Sequence, residues 1–226
     1  DLLLLVGSRP PVSFFAYPGK PSWCTPESCR LQVLAHPHED GVEALRALAS
    51  HLAAPAEPML RAPMEKPPRP APGALNPFSV GQILAGLLPE GAILSDEGAT
   101  CGFGVNVALA TAAPHDHLAL TGGSIGQGLP LAAGAAIACP DRKVVTLEGD
   151  GSGLYTLQAL WTQAREGLDV TNIVFANRSY AILNIELMRV GAGTPGPKAL
   201  SMFDLANPEI DWTMLARGLG VEASRA

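Results

Sequence analysis

Between residues 92 and 176 the chain switches repeatedly from short apolar runs to longer stretches of helical spacing. Ala92–Ser95, Leu118–Leu120, Val144–Leu147 and Thr171–Ala176 read as strands. Cys101–Ala110, Leu129–Ala138 and Thr156–Glu166 lie between them and read as helices, and Asn76-Pro77 caps a further helix running through Phe78, Val80, Ile83, Leu84 and Leu87. Such alternation predicts the α/β class, with a doubly wound parallel sheet covered by helices on both faces.

The first 54 residues read differently. Leu2–Val6 and Leu31–Ala35 are expected to be buried strands, and Glu39–Leu52 an amphipathic helix with Val42, Leu45, Leu48, Ala49 and Leu52 on one face. Two strands and one helix make a poor independent domain, so residues 1–54 are expected to be the end of a second α/β domain. Residues 55–75 read as a linker, because the seven prolines of PAEPMLRAPMEKPPRPAPG favour extended chain. Residues 76–226 form the main domain, expected to be truncated at its C-terminus, since both ends of the chain read as mid-fold.

Charge and cysteine usage narrow the classes. With 15 basic against 21 acidic residues and a net charge of −6, and no Lys/Arg stripe, nucleic-acid binding is not expected. Cys24, Cys29, Cys101 and Cys139 match no zinc spacing and read as reduced thiols. The apolar run Leu2–Val6 is too short for a signal sequence or a membrane span, so a soluble, cytoplasmic protein is expected.

The chemistry centres on LEGDGSG, Leu147 to Gly153, which follows a β-branched run. A glycine-rich turn after a strand usually cradles phosphate, yet a carboxylate within it should repel that anion. A dinucleotide fingerprint fails because Leu154 or Thr156 stands where glycine is needed; a P-loop lacks its lysine; and Asp150 and Leu154 break a nucleophile elbow around Ser152. What remains is a strand-turn-helix-strand unit with Asp150 above one strand and Asn177 just past the next. In a right-handed crossover both open at the carboxyl edge of the sheet. A carboxylate and an amide oxygen meeting there suit Mg²⁺, which takes a few protein oxygens and completes its shell with phosphate and water. A divalent cation between Asp150 and the phosphate removes the conflict.

Gly149-Asp150-Gly151, 25 intervening residues and then Asn177 resemble the thiamine diphosphate motif of the group that includes acetolactate synthase, benzoylformate decarboxylase and pyruvate decarboxylase. The family's usual first Asn is Ala176 here. GGSIGQGLP, Gly122 to Pro130, resembles the family's segment before its small-residue helix, and AILSDEGAT, Ala92 to Thr100, resembles its first diphosphate loop. The resemblance implies Mg²⁺ held by Asp150, Asn177 and the Ser179 carbonyl. Gly98, Ala99, Thr100, Gly149, Gly151, Ser152 and Tyr180 would contact the cofactor. The Gly123 carbonyl would accept from the 4′-amino group, and Ile125 would be the wedge that bends the cofactor into a V and so promotes its activation. Read from the residues alone, Ile125 is equally a core side chain and Thr100 a helix cap.

The resemblance implies decarboxylation of a 2-oxo acid, with the resulting carbanion equivalent protonated or added to a second carbonyl: lyase or carboligase (transferase) chemistry, acetolactate synthase-like or benzoylformate decarboxylase-like. It also implies a homodimer or homotetramer, because the activating glutamate sits on a pyrimidine-binding domain that these residues do not contain. This chain alone should therefore bind cofactor weakly and be inactive. Glu97 is read as lining the cofactor loop, while Glu148 sits too close to the metal turn to reach the pyrimidine. Glu186 stands where acetolactate synthases carry tryptophan. Ile182, Leu183 and Glu186 are the candidate substrate-pocket residues, with helix packing as the alternative for Ile182 and Leu183. Arg189–Ser201 is expected to be a mobile loop, either a lid or ordinary surface. FAD is left open. A non-catalytic remnant and a nucleotide- or CoA-binding α/β module stand as alternatives.

Overall fold

The computed structural model describes residues 1–57, 70 and 72–226. Most of the expected linker therefore lies outside the described residues. The chain divides into two compact units, Asp1–Ala62 with Ile185–Pro195, and Pro63–Asn184 with Gly196–Ala226.

In the first unit β1 (Leu2–Val6) pairs in parallel with β2 (Arg30–Ala35), and α1 (Gly41–His51) follows. Asp40 caps α1 by accepting from the Val42 and Glu43 N–H groups. The predicted apolar face of α1 remains largely exposed at Val42, Leu45 and Leu52, because two strands offer too little surface to cover it.

The second unit opens with α2 (Pro77–Leu87), where Asn76 and Ser79 form a reciprocal capping box with Pro77 in the first turn. Then come β3 (Ile93–Glu97), α3 (Ala99–Leu109), β4 (Asp116–Ala119), α4 (Gly128–Ala138), β5 (Val144–Gly149), the helical turn α5 (Asp150–Gly153), α6 (Ala159–Arg165), β6 (Val170–Phe175), α7 (Ala181–Arg189), α8 (Pro197–Ser201) and α9 (Trp212–Gly218). The partition between units falls within α7, after Asn184. The four strands are parallel in the order β4-β3-β5-β6. This is the doubly wound α/β sheet that the alternation predicted.

Side chains alternate across the sheet as the pleat requires. Leu94, Val145 and Leu147 pack with Leu84, Ala85, Val105 and Leu109 of α2 and α3. Ile93 and Val144 face the other way, against Ala132 and Ala136 of α4. Gly81 lets α2 lie close on α3, since a Cβ there would sit 2.7 Å from the Val105 carbonyl oxygen. Leu129, Leu160, Trp212 and Ala216 form a third cluster that ties α9 to α4 and α6.

Three local expectations are corrected. Helix α3 starts at Ala99, two residues before the expected Cys101, because Ala99 adopts φ +47° and turns the chain straight off the strand. The expected helix Thr156–Glu166 is observed as α6, starting only at Ala159, and a separate helical turn, α5, precedes it at Asp150–Gly153, where glycines at 151 and 153 disguise it. Of the expected mobile stretch Arg189–Ser201, Pro197–Ser201 is helical with proline at its start.

Candidate functional site

Winding from β3 to β4 runs one way, and β5 then returns to the opposite side of β3. The strand order therefore reverses between β3 and β5, and ligands of open α/β sheets bind at the carboxyl ends beside such a reversal. β3 ends at Glu97-Gly98 and β5 at Gly149-Asp150, so two of the predicted loops emerge side by side there.

Asp150 is only 3% exposed. One of its oxygens accepts from its neighbour's Gly151 N–H at 3.0 Å, and the other from the Arg178 N–H at 2.6 Å. The second bond brings the Asn177–Ser179 turn onto the Asp150 turn, the convergence that the crossover predicted. Asn177 accepts from the Ser179 N–H at 3.0 Å, and its amide nitrogen faces the Cys101 sulfur at 3.8 Å. The start of α3, with Thr100 and Cys101, thereby joins the same edge. Burial pushes the Asp150 carboxyl above its ordinary range, with the backbone donors opposing this. Burial likewise raises Cys101.

Two non-glycine residues in these loops adopt left-handed backbone, Ala99 (φ +47°) and Arg178 (φ +57°). Such conformations cost on the order of 1 kcal/mol each and cluster where a loop must present its backbone to something. Tyr180 packs closely on Gly151: a Cβ there would meet its ring, with Cζ at 2.9 Å, and its hydroxyl donates to the Gly151 carbonyl at 3.4 Å. Only glycine lets this ring cover the turn. Ser152 is buried beside Gly149.

The segment from Thr121 to Gly128 forms the third wall. Gly122, Gly123 and Gly126 all have positive φ. Gln127 bonds back to the Thr121 N–H and the Ala119 carbonyl. Gly126 abuts Tyr155 and Thr156, just past the Asp150 turn. Ile125 is part-exposed and joins none of the three apolar clusters, and Gly123 is exposed. The predicted residues Gly98–Thr100, Gly123, Ile125, Gly149–Ser152, Asn177, Ser179 and Tyr180 thus all lie in one unit, at strand ends, helix starts and the loops between them.

The substrate candidates all lie on α7, which the partition between units crosses. Ile182 is part-buried and Leu183 is 44% exposed, both at the start of α7 in this unit. Glu186 belongs to the other unit, where it accepts from the Tyr17 hydroxyl at 2.8 Å and from Arg189 at 2.8 Å. Its carboxylate is already engaged there, and that engagement raises Tyr17.

A pair of buried carboxyls had only a partial sequence signal. Glu97 and Glu148 are register partners on β3 and β5, each 1% exposed. Both point to the α4 side. Each Glu97 oxygen accepts a backbone N–H, from Gly126 and from Gly128. Neither Glu148 oxygen has a well-formed hydrogen bond among the described residues, although the Gly149 and Leu129 backbone lies near enough to oppose the shift. Burial first, and then Glu97, push Glu148 up to about 9. Glu97 was expected to line the cofactor loop; it is instead the last strand residue, roofed by the start of α4. The missed signal is that both glutamates end apolar strands in the same phase.

Among the described residues no three His, Cys, Asp or Glu side chains stand together as a metal cluster. The donors that the resemblance implies at Asp150 are of another kind: the Asp150 carboxylate and the Asn177 amide oxygen, with the Ser179 carbonyl in the same turn as Asn177. That set fits a hard cation completed by phosphate and water, and the buried Asp150, which no basic side chain reaches by an ion pair among the described residues, is the group such a cation would balance. No described helix is long and apolar enough to cross a membrane.

The comparisons agree with this architecture. Residues 96–226 match the model for the thiamine pyrophosphate enzyme C-terminal TPP binding domain. The chain belongs to that family. It is 50% identical, over 99% of its length, to a Mycobacterium tuberculosis protein bearing the provisional name acetolactate synthase large subunit IlvX. It is 32% identical over 80% of its length to benzoylformate decarboxylase of Pseudomonas aeruginosa. Among solved structures, thiamine diphosphate-dependent 4-hydroxybenzoylformate decarboxylase of Rhodococcus jostii superposes with TM-score 0.75 at 26% identity, covering 99% of this chain and 43% of that one. The chain spans 43% of the first relative and 33% of the second.

Proposed function

We propose that this chain holds the diphosphate end of thiamine diphosphate through Mg²⁺ at Asp150, Asn177 and the Ser179 carbonyl, within an enzyme that decarboxylates a 2-oxo acid. The observation that carries the reading is Asp150: a buried carboxylate in a glycine turn at the sheet's reversal, bonded to the Asn177–Ser179 turn and without an ion-pair partner among the described residues. When bound, the cofactor supplies a nucleophilic carbon that stabilises the carbanion left by CO₂ loss. The protein's part is placement. Ser152 offers its backbone N–H to the diphosphate, Gly151 leaves room for it in the turn, Tyr180 covers the turn, and Gly98–Thr100 close the opposite side. Gly123 and Ile125 stand where the aminopyrimidine would be received and bent.

The candidate substrate residues at the start of α7, Ile182 and Leu183, are aliphatic, and the Glu186 carboxylate is engaged by Tyr17 and Arg189. That favours a 2-oxo acid with an apolar side chain and supports the decarboxylase branch; the likeness to the acetolactate synthase-named relative supports carboligation as the second outcome. We place this chain with a pyrimidine-binding domain of a neighbouring copy, in a dimer or tetramer.

The test uses the protein purified at full length with its subunits. CO₂ release from benzoylformate and from pyruvate should require both thiamine diphosphate and Mg²⁺. Aldehyde as product assigns a decarboxylase, and acetolactate from pyruvate a carboligase. Release from neither substrate contradicts the 2-oxo acid reading.

A further inference from the structure

We infer that Glu97 is a positioning residue: its carboxyl group grips the N–H groups of both Gly126 and Gly128 and fixes the turn that presents Gly123 and Ile125 at the sheet edge. The cofactor consequence rests on the proposed function; the clamp itself does not.

The turn needs a clamp. Gly122, Gly123 and Gly126 have φ of +62°, +70° and +96°, and glycines this free lose the most conformational entropy on ordering. Gln127 ties the outer side of the turn to Thr121 and Ala119. The inner side has Glu97, rooted in β3 and 1% exposed, with one oxygen on each of two N–H groups spaced two residues apart. The Gly128 N–H is one of the orphan donors at the start of α4, and the Gly126 N–H lies outside that helix altogether. A plain helix cap would take the first and leave the second. The Ser95 hydroxyl donates to the Gly128 carbonyl at 2.9 Å from the same strand and face, so Gly128 is held on both sides of its Cα. A Cβ at Gly128 would lie 2.9 Å from both the Cβ and a carboxyl oxygen of Glu97, which shows how closely the turn sits on it.

Glu97→Gln keeps size and shape but leaves one acceptor oxygen, so one of the two N–H groups must face an NH₂. In the full chain, amide exchange at residues 122–128 should then rise about tenfold or more while the interiors of β3 and β5 keep their protection. Unchanged exchange overturns the clamp, and a rise across the whole sheet overturns it too, since Glu97 would then be a general fold residue. A second readout separates positioning from packing. With Mg²⁺ present, Glu97→Gln should weaken thiamine diphosphate about tenfold and leave inorganic pyrophosphate within about twofold, because only the former reaches Gly123 and Ile125. Equal loss for both ligands overturns the positioning role. If the unaltered chain and the full-length protein bind neither ligand while exchange changes as expected, the clamp stands and the cofactor reading fails. Should Glu97→Gln not fold, the unaltered chain decides: far-downfield, slowly exchanging amide protons at Gly126 and Gly128 support the clamp, and ordinary, fast-exchanging ones overturn it.

Discussion

Glu148→Gln should make the protein more stable at neutral and alkaline pH and remove most of its loss of stability between pH 5 and 9. Glu148 is buried without a well-formed hydrogen bond among the described residues, and burial and Glu97 push it up to about 9, well above the ordinary 4.5. Below pH 4.5 it is protonated in folded and unfolded chains alike, and no stability is lost. As pH rises toward 9 only the unfolded chain releases the proton, so stability falls by about 1.4 kcal/mol per pH unit, about 3 kcal/mol by pH 7. Glutamine is neutral throughout and can donate to Glu97. Urea midpoints at pH 5 and pH 8 check this: the variant should gain at pH 8 and differ little at pH 5. Parallel behaviour at the two pH values would contradict a buried, protonated Glu148.

Gly128→Ala should be strongly destabilising, by about 3 kcal/mol or more, the upper end of core overpacking. The backbone there has no positive φ, so conformation alone would accept alanine. Space does not: the methyl would run into a Glu148 carboxyl oxygen and sit 2.9 Å from the Cβ of Glu97. The Glu148 carboxyl can turn only at the cost of its packing, and the Cβ of Glu97, rooted in β3, cannot swing aside. Gly134 in the same helix has nothing within 4 Å of its added Cβ and serves as the control, where alanine should be neutral or stabilising. Thermal midpoints of the two variants should diverge; equal, small effects would show that the carboxyl pair moves freely.

The sheet was legible because its central strands β3 and β5 are buried on both faces and read as continuous apolar runs, with helical stretches between them. The Asp150 turn was legible for a different reason: an acidic residue in a phosphate-type glycine turn has few physical uses, and Asn177 falls where the next strand must end. The start of α3 was hidden by Ala99, whose left-handed backbone no propensity announces. Helical turn α5 was hidden by Gly151 and Gly153, which are there for the rings of Tyr180 and Trp212 rather than for helix formation. The fate of Glu97 and Glu148 depended on strand register, which residue spacing does not supply. Glu186 read as a pocket residue from its place on α7, while the partner that claims it, Tyr17, lies 169 positions away.

The central claim is a metal-bridged diphosphate at Asp150, and calorimetric titration of thiamine diphosphate tests it most directly. The titration is run with Mg²⁺, then with EDTA, on the full-length protein and on its Asp150→Asn variant. Asparagine keeps the shape and removes the charge that would balance the cation. Binding should appear only with Mg²⁺ and fall by at least about a hundredfold in the variant, as expected when a charged metal ligand is lost. Binding that persists in EDTA, or is equal in Asp150→Asn, would contradict the metal bridge and return the turn to an ordinary glycine-rich anion site.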